Sequence, residues 1–127
     1  MGHALIIDDN VKNVEVLVRL LGMQQISSTT VTRPSQLEAA IEEMPGADVV
    51  FLDLEMPGAS GYDILEWLKA DERFQAVPIV AYTVHVSELN VAHQQGFHSF
   101  LGKPLDADKF PQQLERILSG QPVWETP

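Results

Sequence analysis

Cysteine is absent from the 127 residues, which removes disulfide frameworks, thiolate zinc sites and cysteine nucleophiles from consideration. Basic residues are scarce. Eight Lys and Arg face 18 Asp and Glu, a formal charge of -10. Such a chain repels phosphate backbones and anionic lipid, so neither nucleic acid nor membrane is an expected partner. Long apolar runs are also missing: stretches such as Val49 to Leu52 fall far short of the roughly 20 residues that span a bilayer. No charged start followed by a long apolar stretch marks a secretory signal. The expectation is an acidic cytoplasmic protein.

What is present is an ordinary globular composition, 45% apolar and 20% charged. A chain this long forms one domain and buries about two-thirds of its unfolded surface, enough to hold a core without staples. The end from Ser119 onward reads as irregular. The domain is therefore expected over residues 1–120, with 121–127 a tail in which Trp124 is best able to dock.

The apolar pattern alternates between two periods. Ala4-Leu5-Ile6-Ile7 is a short run that stops at Asp8-Asp9, and from Val11 to Leu21 the spacing turns helical, with Val11, Val14, Val18 and Leu21 in one stripe and Leu17 beside it. Gly22 suits a left-handed helix end. Ile26 to Thr32 is rich in β-branched residues. Pro34 opens a second helix, with Leu37, Ala40, Ile41 and Met44 inward, and Pro45-Gly46 closes it. Val49 to Leu52 reads as a strand covered on both faces. A third helix carries Ile64, Leu65 and Leu68, with Trp67 and Phe74 read as packing residues. Val77 to Tyr82 reads as a strand. Ser87 to Gln95 reads as a loosely held helix closed by Gly96, and Phe97 to Leu101 as the fifth strand. A fifth helix is capped by Asp108, has Pro111 in its first turn, and turns Phe110, Leu114, Ile117 and Leu118 inward. Five strands alternating with five helices predict an α/β fold with a doubly wound, five-stranded parallel sheet.

Function in such folds sits outside the carboxyl ends of the strands. Those ends carry Asp8-Asp9, Asp53, Thr83 and Lys103-Pro104. Taken singly, the Asp pair reads as helix caps, Asp53 and Thr83 as strand-end residues and Lys103 as a solvated charge. Together, three carboxylates in one crevice need a cation, and a hard divalent ion such as Mg²⁺ suits oxygen ligands. A hydroxyl and an ammonium beside them could hold a phosphate. His3, His85, His93 and His98 show no metal spacing and read as surface or structural residues.

Asp8-Asp9, the run Asp53-Leu54-Glu55-Met56-Pro57 with Gly61, Thr83 and Lys103-Pro104 together resemble the receiver domain of two-component response regulators. With no output domain following, the resemblance is to stand-alone, single-domain members with a flavodoxin-like fold. It implies a signalling module rather than a conventional enzyme, one that catalyses only its own phosphorylation and dephosphorylation. Asp53 would take a phosphoryl group from a histidine kinase or phosphotransfer protein. Asp9, Asp8, Asp53 and the Glu55 carbonyl would hold Mg²⁺, while Thr83 and Lys103 would contact phosphoryl oxygens. Pro104 would follow a cis peptide. Thr83 and Phe100 would form a switch that alters the face of helix four, strand five and helix five for a downstream protein target. Phe100 lacks the hydroxyl of the Tyr found in many members. Glu55 and His85 would stand at the rim of the site, able to pair across it and tune the phosphoryl lifetime, with Val84 adding bulk where members usually carry a smaller residue.

Two other readings use similar residues. A small haloacid-dehalogenase-type phosphatase needs an Asp two residues after its nucleophile, where this chain has Glu55. A flavodoxin-like flavin carrier needs a Ser/Thr-rich phosphate loop after the first strand, which is not there.

Overall fold

The computed structural model describes residues 2–125. A central parallel sheet is built from β1 (Gly2–Ile7), β2 (Ile26–Val31), β3 (Val49–Leu52), β4 (Ile79–Thr83), β5 (Ser99–Gly102) and β6 (Trp124–Glu125). Five helices connect the strands: α1 (Val11–Met23), α2 (Leu37–Glu43), α3 (Gly61–Lys69), α4 (Leu89–Gln95) and α5 (Phe110–Leu118). The order across the sheet is β2-β1-β3-β4-β5-β6, with all neighbours parallel. The chain direction across the sheet therefore reverses between β1 and β3, and a crevice opens at their carboxyl ends.

The apolar strands are buried on both faces because side chains alternate along each one. Leu5, Ile7, Val50 and Leu52 join one core with Leu37 and Ile41 of α2, Ile64, Leu65 and Leu68 of α3, and Ala92 of α4. Ala4, Ile6, Val49 and Phe51 join the other with Val14, Leu17 and Leu21 of α1 and Phe110, Leu114 and Ile117 of α5. Ala92 is the only buried residue of α4, which makes that helix the weakest anchored of the five. Gly96 ends it in the left-handed region, at φ 99°. Among the described residues, no helix is long and apolar enough to cross a membrane.

Several local expectations are corrected. The end from Ser119 is not irregular throughout: α5 stops at Leu118, Gly120 turns the chain at φ 93°, and residues 124–125 add a sixth strand beside β5. Val123, 1% exposed, supplies the burial that holds it there. Helix α1 runs one residue past Gly22, and Gln25, not Gly22, takes the positive φ. Leu20 is buried while Val11 and Val18 are exposed; at 100° per residue both lie about 100° or more from the Leu17 centre of the stripe. Asp108 does not cap α5. Asp106 instead accepts hydrogen bonds from the Asp108 and Lys109 amides. Trp67 and Leu118 fall outside the inward arcs of their helices and are exposed, whereas Phe74 is buried as expected. The first strand starts at Gly2 rather than Ala4, and β4 and β5 each begin two residues later than read.

Candidate functional site

Backbone ladders aim the site residues. The Asp8 amide donates to Val31 O (3.0 Å), the Asp53 amide to Ile7 O (2.9 Å) and the Lys103 amide to Thr83 O (2.8 Å). Each strand end is thereby pinned to its neighbour at the point where the chemistry begins. The Lys103–Pro104 peptide is cis. Gly61 is required for a different reason: a Cβ there would lie 2.6 Å from both Asp53 O and Leu54 Cα. Any side chain would push α3 away from the strand that carries Asp53.

Asp8, Asp9 and Asp53 converge, each offering a carboxylate oxygen within 4.8 Å of the others. Asp8 is fully buried and Asp53 nearly so, while Asp9 is exposed. Lys103, only 7% exposed at its side chain, places Nζ 3.0 Å from Asp8 Oδ2 and 3.8 Å from Asp53 Oδ2. One ammonium thus serves two buried carboxylates and leaves a surplus of negative charge. Burial is the main reason the Asp53 carboxyl is raised from 3.8 to about 6; Lys103 pulls it down and Asp8 pushes it up. A crevice of hard oxygen donors with excess negative charge fits a small divalent cation, and one face open to solvent leaves room for its waters.

The other expected residues surround this cluster. Thr83 is buried, and its Oγ1 accepts from the His85 amide at 3.1 Å, which leaves the hydroxyl proton free to donate. Asp53 Oδ1 accepts from the Glu55 amide at 3.3 Å. His85 Nε2 lies 3.0 Å from Glu55 Oε2, so the two side chains meet across the entrance. Val84 is 60% exposed and lines the same open cleft, about 550 Å³ in volume. Phe100 stands apart from the carboxylates, fully buried in the core beside Ala92 and Phe97. The remaining histidines are tied to the scaffold. His3 contacts Ser27 and Thr29, His98 contacts Ser99 and Gly120, and the His93 ring lies against Trp124.

Sequence reasoning missed Tyr82. Its hydroxyl donates to Asp8 Oδ2 at 2.5 Å, and its ring lies 4.2 Å beneath Lys103 Nζ. Burial, reinforced by the Asp8 hydrogen bond, pushes the phenol far above its usual range, so it stays protonated and donating. Asp8 is thus held by the Asn10 amide, the Tyr82 hydroxyl and Lys103 together. The available signal was a Tyr in a strand buried on both faces, whose hydroxyl needs a polar partner.

Comparison with known proteins places this geometry in context. Residues 4–115 match the response regulator receiver domain family. Stress response regulator protein 1 of Candida tropicalis is 35% identical over 105 residues, which cover 80% of this chain and 40% of that protein. The polar-differentiation response regulator DivK of Brucella ovis is 27% identical, covering 90% of this chain and 94% of DivK. The receiver domain of the sensor histidine kinase PA1611 from Pseudomonas aeruginosa superposes with a TM-score of 0.81 at 24% identity, over 93% of this chain and 98% of that one; that protein holds a magnesium ion in its active-site cleft.

Proposed function

This chain belongs to the response regulator receiver domain family, and from that premise we propose that it accepts a phosphoryl group on Asp53. The donor is a histidine kinase or a phosphotransfer protein. The observation that carries the reading is Lys103 set between two buried carboxylates, with Asp9 and the Thr83 hydroxyl at the same mouth. In the transfer, a carboxylate oxygen of Asp53 attacks phosphorus in line. An O–P bond forms as the P–N bond to the donor histidine breaks, and the departing imidazole takes up a proton. Asp8, Asp9, Asp53 and the Glu55 carbonyl would hold Mg²⁺, which would neutralise the charge that the phosphoryl oxygens bring. Lys103 pairs with one of these oxygens and Thr83 donates its hydroxyl proton to another, positioning them for little covalent work. No observation favours the small-phosphatase alternative, since the side chain two residues after Asp53 is Glu55, engaged with His85.

The response is a population shift. A phosphoryl group of about two negative charges draws the Thr83 hydroxyl away from the His85 amide, and the space behind it couples to Phe100. The face of α4, β5 and α5 then presents differently to a downstream protein. A single preparation tests both halves. With acetyl phosphate and Mg²⁺, labelling should stop at one phosphoryl group per chain, and beryllofluoride should shift amide resonances in α4, β5 and α5. Multiple turnover of a phosphate ester, or shifts confined to the loops around Asp53, would overturn the reading.

The rim pair offers a second measurement. Hydrolysis needs a water in line with phosphorus, and Glu55 and His85 together narrow its path. Both side chains are well exposed, and such a pair is worth about 1 kcal/mol at most. Phospho-lifetimes of Glu55→Ala and His85→Ala should therefore change about two- to fivefold, and the double variant should be non-additive. Lifetimes equal to the parent in all three would remove the rim from the mechanism.

A further inference from the structure

Lys103 stands between two environments. On one side it lines the open cleft with Asp9, Asp53 and Thr83; behind it lie Asp8 and Tyr82, both buried and away from the cleft wall. Asp8 accepts from three donors. The Asn10 amide reaches Oδ1 at 2.9 Å, while the Tyr82 hydroxyl at 2.5 Å and Lys103 Nζ at 3.0 Å share Oδ2. The phenol is held in place without the ammonium. Its ring packs edge-on against Phe51, centroids 6.2 Å apart, in the core shared with α1 and α5. Lys103, by contrast, carries its Nζ on a flexible stem, 4.2 Å above the face of that fixed ring.

We propose that Tyr82 is a positioning residue for the phosphoryl reaction: its hydroxyl keeps the buried Asp8 carboxylate paired while Lys103 turns to a phosphoryl oxygen on Asp53. The inference deepens the reading of Asp53 as acceptor and rests on it. In the unlabelled protein the ammonium sits closer to Asp8 (3.0 Å) than to Asp53 (3.8 Å). To serve a phosphoryl group it must give up part of its hold on Asp8. A fully buried carboxylate stripped of its cation is costly, and that cost would count against the labelled state. A second cation beside Asp8 would remove the cost but would also repel a divalent ion in the same crevice. A hydroxyl does neither harm. At 2.5 Å it lies in the short range of charge-assisted O–H···O⁻ bonds, and it adds no charge to the site. An aliphatic side chain here would fill the core and leave Asp8 dependent on Lys103. The ring contributes separately: its face attracts the ammonium without a directional bond, so Nζ can shift while keeping contact.

Tyr82→Phe keeps the ring and removes the hydroxyl, and two measurements on it test the inference. The first needs neither metal nor phosphodonor. Thermal melts in chelator of the parent, Tyr82→Phe, Lys103→Met and the double variant form a cycle. A hydroxyl that stands in for the ammonium makes the double variant lose about 4 °C or more beyond the two single losses combined. Simple addition would overturn the proposal. The second measurement is the rate of labelling by acetyl phosphate as a function of Mg²⁺ concentration. Tyr82→Phe should lower the maximal rate about tenfold and leave the half-saturating Mg²⁺ concentration within about twofold, because Lys103 is held back on Asp8. Where the double variant does not fold, this split carries the test. A fall in rate matched by an equal loss of Mg²⁺ affinity would make Tyr82 a scaffold residue and overturn the proposal. A parent that is labelled no faster than Tyr82→Phe would overturn this inference alone, whereas an unlabelled parent would remove Asp53 as acceptor and the inference with it.

Discussion

Asp53→Asn is expected to abolish labelling by any phosphodonor and, in chelator at pH 8, to make the protein more stable than the parent. The first effect follows from losing the nucleophilic oxygen anion. The second follows from charge. Asp8 and Asp53 share one ammonium, so removing one carboxylate leaves a balanced Asp8–Lys103 pair of the same shape. The pH dependence has a definite sign. Burial holds the folded-state Asp53 carboxyl near 6, above its ordinary 3.8, so the folded state binds this proton more tightly than the unfolded one. The parent therefore loses stability as pH rises from about 4 through 6, and the advantage of the Asn variant is full above that window and gone below it. Thermal melts of both proteins from pH 4 to 8 in chelator read the difference. Undiminished labelling of the variant would remove Asp53 as acceptor. A variant less stable than the parent at pH 8 would refute the charge-crowding account.

The sequence made the carboxylates and the alternation of elements readable because both depend on local signals. Continuous apolar runs such as Val49 to Leu52, short and bounded by polar and turn residues, match strands buried on two faces, and they end in polar residues where the sheet opens to solvent. Four chemically matched strand ends at the right spacing then define one crevice. The sixth strand was illegible for a physical reason. Gln121-Pro122-Val123-Trp124 has no alternation long enough to declare itself, and Trp124-Glu125 pair only because β5 offers a free edge and Ser99 a buried acceptor. Tyr82 was hidden similarly. Its apolar ring fits a strand pattern, and its role depends on Asp8 74 positions away. Which carboxylate shapes the entry to α5 also depends on loop geometry: Asp106, not Asp108, accepts from the amides of the turn before the helix, and no side chain caps α5 itself.

Lys103→Met is expected to separate the two cations that this site can use. In the folded chain Lys103 Nζ lies 3.0 Å from Asp8 Oδ2, 3.8 Å from Asp53 Oδ2 and 4.2 Å above the Tyr82 ring, with its side chain almost wholly enclosed. Met fills much the same volume without charge. Breaking a buried pair from one side leaves the other charge uncompensated, at a cost of about 3 kcal/mol. For a domain of this size that lowers the melting temperature by roughly 10 °C in chelator. Protonation of a freed carboxylate relieves part of the loss at low pH, so the deficit should be largest at pH 8. Mg²⁺ affinity should move the other way. A dication entering the parent site meets a fixed ammonium within the same cluster, and at an effective dielectric of about 20 that repulsion is several kcal/mol before screening. Its removal should tighten Mg²⁺ binding about tenfold or more by titration calorimetry, and Mg²⁺ should restore more stability to the variant than to the parent. Labelling should slow, because the phosphoryl oxygens lose their partner. Tyr82→Phe is the control: it keeps the ring beneath the ammonium and removes only the hydroxyl that donates to Asp8. It should lose about 1–3 kcal/mol of stability, with a much smaller change in Mg²⁺ affinity than Lys103→Met. Unchanged Mg²⁺ affinity in Lys103→Met, or full stability without Mg²⁺, would mean that the ammonium does not compensate the carboxylate cluster.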